Sequence, residues 1–237
     1  MSRPTAMVLA APGTNRDGDV AFALDLAGAE TRTVLLAELA AAPHHLDDVQ
    51  LLVIAGGFSY ADALGAGRMW ALELEHRLGD ALRRFVAGGH PVIGICNGFQ
   101  VLTRAGLLPG SLGHNSSGHF QCEWVTLAVE ASSHSIWTRD VARIHCPIAH
   151  GEGRFVHPDP AALAAAGQVA LTYVGGNPNG SIADIAGVCD ETGLVLGLMP
   201  HPENHVVARQ HPQFTRGVCG ESGLALFEQG VRYAKEQ

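Results

Sequence analysis

Along the first half of the chain the apolar positions switch between two periods. Met7 to Ala11 is a short apolar run ending in Pro12-Gly13, Asp19 to Ala29 carries helical spacing, and Thr31 to Leu36 reads as a second strand. Leu51 to Ala55 is continuously apolar up to Gly56-Gly57, the pattern of a central parallel strand covered on both faces. Met69, Leu72, Leu78, Leu82 and Phe85 recur at helix-like spacing, and Gly88-Gly89 stops that segment. Pro91 to Ile95 is another buried-strand run, and Gly98 to Leu107 reads as a helix. Strands and helices in alternation predict an α/β, doubly wound fold: a mainly parallel central sheet flanked by helices.

The second half changes period. Trp124 to Glu130 alternates, Ala142 to Ile148 and Val169 to Val174 are strand-like, and Ala183 to Met199 reads as a hairpin turning at Asp190-Glu191-Thr192-Gly193. These predict antiparallel additions to the same sheet. Gly223 to Ala234 predicts a closing helix, and with no linker-like composition in between, residues 1–237 read as a single domain.

Composition narrows the function classes. A chain of 237 residues, 47% hydrophobic and 16% charged, suits one continuous core. The net charge of −8 and the lack of any Lys/Arg run argue against a nucleic-acid partner. Apolar stretches fall short of the ~20 residues of a membrane span, and the N-terminus reads as a first strand and not as a signal peptide. Five cysteines (Cys96, Cys122, Cys146, Cys189 and Cys219) without CxxC spacing predict neither a disulfide framework nor a metal site, and point to a reducing, cytoplasmic compartment. Cys122, Cys146 and Cys189 sit in or beside apparent strands and read as packing residues, whereas Cys219 reads as an exposed loop residue. No GxxxxGK[ST] string is present, so no nucleotide cofactor is expected on this chain.

Cys96 stands apart. It follows the strand Val92-Ile93-Gly94-Ile95 and precedes the helix starting near Gly98, the strand–turn–helix arrangement of a nucleophile elbow. A helix N-terminus stabilises a thiolate, and the Asn97 backbone N–H would face a developing oxyanion. On those five residues alone, a nucleophile and a buried structural cysteine are equally good readings. A nucleophile needs a base and an orienter. Met199-Pro200-His201-Pro202-Glu203 offers both, since two prolines stiffen the backbone and residues two apart can share a side of the chain. Among 13 histidines His201 by itself reads as a turn residue; the order of elbow cysteine, then strand-end histidine, then glutamate is what raises it. His114, His119, His150 and His205 remain rivals for the base.

Several strings carry a resemblance: Pro12-Gly13-Thr14-Asn15, Gly56-Gly57-Phe58-Ser59-Tyr60, Gly94-Ile95-Cys96-Asn97-Gly98-Phe99-Gln100 and Leu107-Leu108-Pro109-Gly110. Pro147-Ile148-Ala149-His150-Gly151-Glu152-Gly153, Asn177-Pro178-Asn179-Gly180-Ser181 and Met199-Pro200-His201-Pro202-Glu203 extend it over nearly the whole chain. The chain resembles the class I glutamine amidotransferases, which have a flavodoxin-like fold, and among them the glutaminase subunits of phosphoribosylformylglycinamidine synthase. The elbow and His-Pro-Glu strings carry the superfamily, while the loops at Gly56, Ile148 and Asn177 carry the subgroup.

The resemblance implies that Cys96 attacks the side-chain amide of glutamine, with His201 as acid and base and Glu203 as orienter. It implies an oxyanion hole from the Gly57 and Asn97 backbone N–H groups. Gln100 would lie near the substrate, and His150 and Gly151 would frame its amino-acid end. It also implies partners: a large synthetase subunit, which would hold ATP and Mg2+ and receive the ammonia, and a small bridging subunit. Ala61, Gly65, Arg16 and Asn204 depart from the pattern, and the loop from His205 to Gly220 is long; these bear on loop conformation and docking. A different amidotransferase, a cysteine hydrolase or chaperone of the same broad fold, and a docking subunit with a dead site are the competing readings. Hydrolases of that kind place histidine directly after the cysteine, where this chain has Asn97.

Overall fold

The apolar runs of the first half become the parallel strands of a computed structural model that describes residues 3–218 and 220–237; Cys219 lies outside the described residues. In chain order the elements are β1 (Thr5–Ala10), α1 (Asp17–Ala27), β2 (Glu30–Leu35), α2 (Leu36–Ala41), β3 (Leu51–Ile54), α3 (Arg68–Ala87), β4 (Val92–Ile95) and α4 (Asn97–Arg104). They continue with β5 (Ser111–Gly113), β6 (Gln121–Val129), β7 (Arg143–His150), β8 (Arg154–Val156), α5 (Pro160–Ala165), β9 (Val169–Val174), β10 (Ile185–Cys189), β11 (Val195–Leu198) and α6 (Leu224–Glu236).

Among the described residues one nine-stranded sheet runs β2-β1-β3-β4-β11-β10-β9-β6-β7. Its first five strands pair in parallel, in the manner of a flavodoxin-like sheet. From β11 onward every pairing is antiparallel, beginning with the hairpin that joins β10 to β11. The expected fold class is therefore present: parallel centre, antiparallel additions. A strand enclosed by helices on both faces has no polar side, and Leu51, Leu52, Val53 and Ile54 of β3 are wholly buried. Each such side chain contributes roughly 1.5–3 kcal/mol by leaving water. On β7, which is covered on one face, buried residues alternate with partly exposed ones.

Helix α3 lays Trp70, Ala71, Leu74, Leu78, Leu82 and Phe85 into the core. Leu72, counted with that stripe from sequence, is 65% exposed, because two residues from Trp70 and from Leu74 is half a turn away from their face. Shorter elements escaped the periodicity: α2, α5 and the two-stranded β5–β8 ladder. Helix α5 nevertheless has local signals, with Pro160 at its first position and Asp159 Oδ1 accepting from the Ala162 N–H at 2.9 Å.

One close approach positions the site. Helix α4 crosses β3 at Gly98, where an added Cβ would lie 2.0 Å from the Ile54 carbonyl oxygen. Neither backbone can yield without breaking the sheet, so Gly98→Ala should lower stability by about 2 kcal/mol or more in chemical denaturation. By contrast Gly18→Ala on α1, where a Cβ meets nothing within 4 Å, should leave stability unchanged or raise it by roughly 0.5 kcal/mol. Equal effects at the two positions would refute the packing argument.

Candidate active site

The parallel strands all deliver their following loops to one edge, the place where open α/β sheets hold ligands. Pro12-Gly13 follows β1, Gly56-Gly57 follows β3, Cys96 follows β4 and Met199-Pro200-His201 follows β11. Because Ile95 of β4 is paired with Leu198 of β11, residues about a hundred apart in sequence leave adjacent strand ends side by side.

Cys96 caps helix α4 with φ 51 and ψ −104, a left-handed conformation that an L-residue holds only under constraint. The constraint is visible: its N–H donates to the Leu198 carbonyl at 2.8 Å, while its carbonyl accepts from the Gln100 N–H at 3.1 Å. The elbow predicted from Gly94 to Gly98 thus forms, with the helix starting at Asn97. Cys96 is 5% exposed and its Sγ lies 3.8 Å from the Ala149 carbonyl oxygen of β7.

His201 is anchored by its N–H, which donates to the Pro147 carbonyl at 2.8 Å. Its Nδ1 lies 2.7 Å from Glu203 Oε1, and His201 and Glu203 are 3% and 0% exposed. A carboxyl group buried so completely needs a partner, and the imidazole supplies one at Oε1. Burial pushes His201 down, yet the charges of Glu203 and Cys96 and the hydrogen bonds to both outweigh it and raise the imidazole to about 10. The imidazolium form is therefore favoured beside the thiol.

The competing groups separate cleanly. Cys146 also lies near Glu203, but burial, then that carboxylate, holds its thiol well above the ordinary value; it is a packing residue, as is Cys189. Cys122, grouped with them from sequence, is exposed instead, because neither face of the outer end of β6 is buried. Of the rival histidines, His114 and His119 are exposed. His205 packs with His145 and His211 against Trp124. His150 is 3% exposed, and burial, then His201, lowers it to about 4, so it stays neutral.

The remaining candidates meet around a cavity of about 190 Å³. Gly57, Cys96, Gln100, His150 and Gly151 line it, together with Phe58, Asp62 and Glu152. Gly57 has φ 144, and a Cβ there would come within 2.7 Å of the Asn15 backbone nitrogen, so the loop after β1 requires glycine at this point. The Asn97 side chain belongs to a relay. Ser59 Oγ donates to Asn97 Oδ1 at 2.5 Å, Asn97 Nδ2 to Gln100 Oε1 at 2.8 Å, and Gln100 Nε2 to the Glu152 carbonyl at 2.7 Å. That relay ties the loop after β3, the elbow and the loop after β7 into one frame.

Asn115 was missed from sequence. Its Nδ2 donates to the His119 and His150 carbonyls at 2.9 and 2.8 Å, and its Oδ1 accepts from the Gly153 N–H at 3.0 Å. Behind it Asn179 Nδ2 donates to the Gly153 carbonyl at 2.8 Å, which accounts for the Asn177 to Ser181 string. Ser59 and Glu152 lay inside quoted strings and could have been singled out; nothing in the sequence marks Asn115.

Comparison with known proteins gives the family. Residues 3–234 match the CobB/CobQ-like glutamine amidotransferase domain family. The chain is 46% identical to the phosphoribosylformylglycinamidine synthase subunit PurQ of Treponema denticola, across 98% of this chain and 99% of that protein. It is 39% identical to the subunit of the same name from Dehalococcoides mccartyi, across 100% of both. A solved structure described as PurLQS from Thermotoga maritima is similar with a TM-score of 0.80 and 39% identity, over 98% of this chain and 99% of that one. A glutamine amidotransferase from the same organism, 17% identical with a TM-score of 0.57 over 92% and 83% of the two chains, shares the fold.

The His201–Glu203 pair has a pH signature. Because the folded value of about 10 lies above the ordinary 6.5, the pair's stabilisation is fully present below pH 6.5 and is lost as pH rises through 10. Glu203→Gln removes the principal upward influence. The difference in unfolding free energy between wild type and this variant should therefore shrink from pH 6.5 to 10. Imidazole nitrogen NMR at pH 8 should find His201 charged in wild type and neutral in the variant; a neutral wild-type ring would overturn the assignment.

Proposed function

This chain belongs to the CobB/CobQ-like glutamine amidotransferase family and is a glutaminase subunit of phosphoribosylformylglycinamidine synthase in purine biosynthesis; from that premise we propose that Cys96, His201 and Glu203 carry its chemistry. The supporting observation is one buried line of groups: Glu203 Oε1 2.7 Å from His201 Nδ1, and Cys96 influencing the same imidazole from the active-site cavity.

In the proposed cycle Cys96 Sγ attacks the carboxamide carbon of glutamine. The C=O electron pair moves onto oxygen, where the backbone N–H groups of Gly57 and Asn97 receive it. Asn97 opens α4, so its N–H also carries the positive end of the helix dipole. The His201 imidazolium gives its proton to the departing nitrogen as the C–N bond breaks, leaving ammonia and a glutamyl thioester. Neutral His201 then takes a proton from water, which opens the thioester; glutamate departs and Cys96 is restored. Glu203 keeps Nδ1 protonated throughout and stabilises the charged ring. Gln100 and Gly151 shape the cavity, and His150, held neutral, offers hydrogen bonding without competing as a base.

The ammonia is consumed elsewhere. We place ATP and Mg2+ on a large synthetase partner, with a small bridging subunit between the two; the similar Thermotoga maritima structure is described as a PurLQS assembly. Residues 1–237 serve as a single amidotransferase domain in this scheme. Among the described residues no helix is long and apolar enough to cross a membrane, and the described cysteines are free, which suits the cytoplasmic placement.

Cys96→Ala should reduce glutaminase turnover by more than ~10³-fold, and abolish glutamine-dependent synthesis by the reconstituted complex while sparing synthesis from added ammonium. Glutamine turnover at the wild-type rate in that variant would sink the proposal. Wild-type glutaminase activity should rise when the synthetase is present and loaded; release at an unchanged rate would argue for one of the rival readings.

A further inference from the structure

Glutamine carries two nitrogen groups, and the chemistry above engages only the carboxamide. The α-ammonium must lie farther along the same cavity, and two observations on the cavity wall point to a ligand with N–H donors at both ends.

The first is the His150 side chain, which is 97% buried by its 3% exposure and lines the cavity with Nε2 lacking a hydrogen-bond partner. Its tautomer follows from Asn115. That residue's Nδ2 already donates to two carbonyls and its Oδ1 accepts from the Gly153 N–H, so the amide orientation is settled. His150 Nδ1, 3.2 Å from the same Oδ1, must carry the proton. Nε2 therefore presents a lone pair, and a neutral ring keeps it an acceptor.

The second is a pair of carboxylates on the cavity wall. Asp62 Oδ1 is sealed from solvent and has no hydrogen-bond partner among the described residues. Burial raises the Asp62 carboxyl, and the nearby charge of Glu152 raises it further. Glu152 Oε1 accepts from the Ala66 N–H at 3.3 Å, and its Oε2 faces the Arg104 guanidinium at 3.6 Å. Arg104 is paired with Glu152, and Asp62 has no ion pair among the described residues, leaving an excess negative charge where a cation belongs. The turn that carries Asp62 holds Tyr60, Ala61 and Asp62 all at φ 53, a conformation that costs of order 1 kcal/mol per residue.

Resting on the glutaminase reading, we propose that Asp62, with Glu152 beside it, binds the α-ammonium of glutamine and selects α-amino acid amides over simple amides. The ammonium supplies the missing positive charge between the carboxylates and a donor for Asp62 Oδ1. The carboxamide at the Cys96 end provides N–H groups within the part of the cavity where His150 lies. A substrate with donors at both ends satisfies both acceptors; one without the ammonium leaves Asp62 Oδ1 sealed and unpaired.

The test compares glutamine with 4-carbamoylbutanoate, the same molecule without its amino group, in the complex with the synthetase. Wild type should prefer glutamine by at least ~100-fold in kcat/KM. Asp62→Asn, a side chain that tolerates positive φ, should raise KM for glutamine by more than ~30-fold, change kcat less than ~3-fold, and bring the two substrates within ~3-fold of each other. Glu152→Gln should shift the preference in the same direction. Retained discrimination in Asp62→Asn overturns the inference, and so does a parallel loss of kcat on both substrates, which would mark a structural role. If wild type opens both amides equally well, this inference falls and the glutaminase reading stands. If it opens neither, both fall together.

Discussion

The parallel pairing of β4 with β11 is the constraint on which the rest of the molecule depends. It sets Ile95 opposite Leu198, and the residues that follow each strand become neighbours although about a hundred residues separate them. The hydrogen bond from the Cys96 N–H to the Leu198 carbonyl extends that pairing by one step and holds the cysteine in its left-handed conformation. A one-residue slip would turn every β11 side chain to the opposite face and carry His201 away from the thiol. The register is secured because both strands are buried on both faces, and the hairpin with β10 fixes β11 from its other edge.

Given that placement, burial sorts the titratable groups by their neighbours. The same desolvation acts on His201, His150 and Cys146, and each responds differently. His201 meets a carboxylate and is raised; His150 meets another imidazole and is lowered; Cys146 meets a carboxylate and stays protonated. A pair of buried groups alone can cost more than it contributes. Here Glu203 and His201 are kept in register by the two prolines that bracket the histidine and by the Pro147 carbonyl that accepts from its N–H.

Polar frames rather than apolar packing join the loops over the cavity. The chain of Ser59, Asn97, Gln100 and the Glu152 carbonyl links the loops after β3 and β4, whose strands pair, to the loop after β7 at the far edge of the sheet. Asn115 and Asn179 hold the Gly153 segment from behind. Every member is an amide or hydroxyl with its donors directed, which suits a surface that must be rigid enough to orient a small polar substrate yet open to solvent at its rim. The departures from the resembled pattern touch this frame lightly. Ala61 stands at φ 53, a backbone position better suited to the glycine expected there, and the turn forms nonetheless.

Local chemistry was sufficient for much of this protein. The apolar runs at Met7, Leu51 and Pro91, the glycines around Cys96 and the Asp190 to Gly193 turn each depend only on near neighbours, so they were legible along with the fold class, the elbow and the histidine–glutamate pair two residues apart. Boundaries drifted by a residue or two where burial continues past the last hydrogen bond, as at Ala11 and Ala55. Tertiary structure decided everything that depends on contacts across the sheet. It set His201 against Glu203, made Cys146 a buried packing residue, turned Leu72 outward and Cys122 into the open, put Asp62 on the cavity wall and placed Asn115 behind the His150 to Gly153 segment. Those outcomes follow from strand order and register, which bring distant residues together, whereas periodicity reports only which face of its own element a residue occupies.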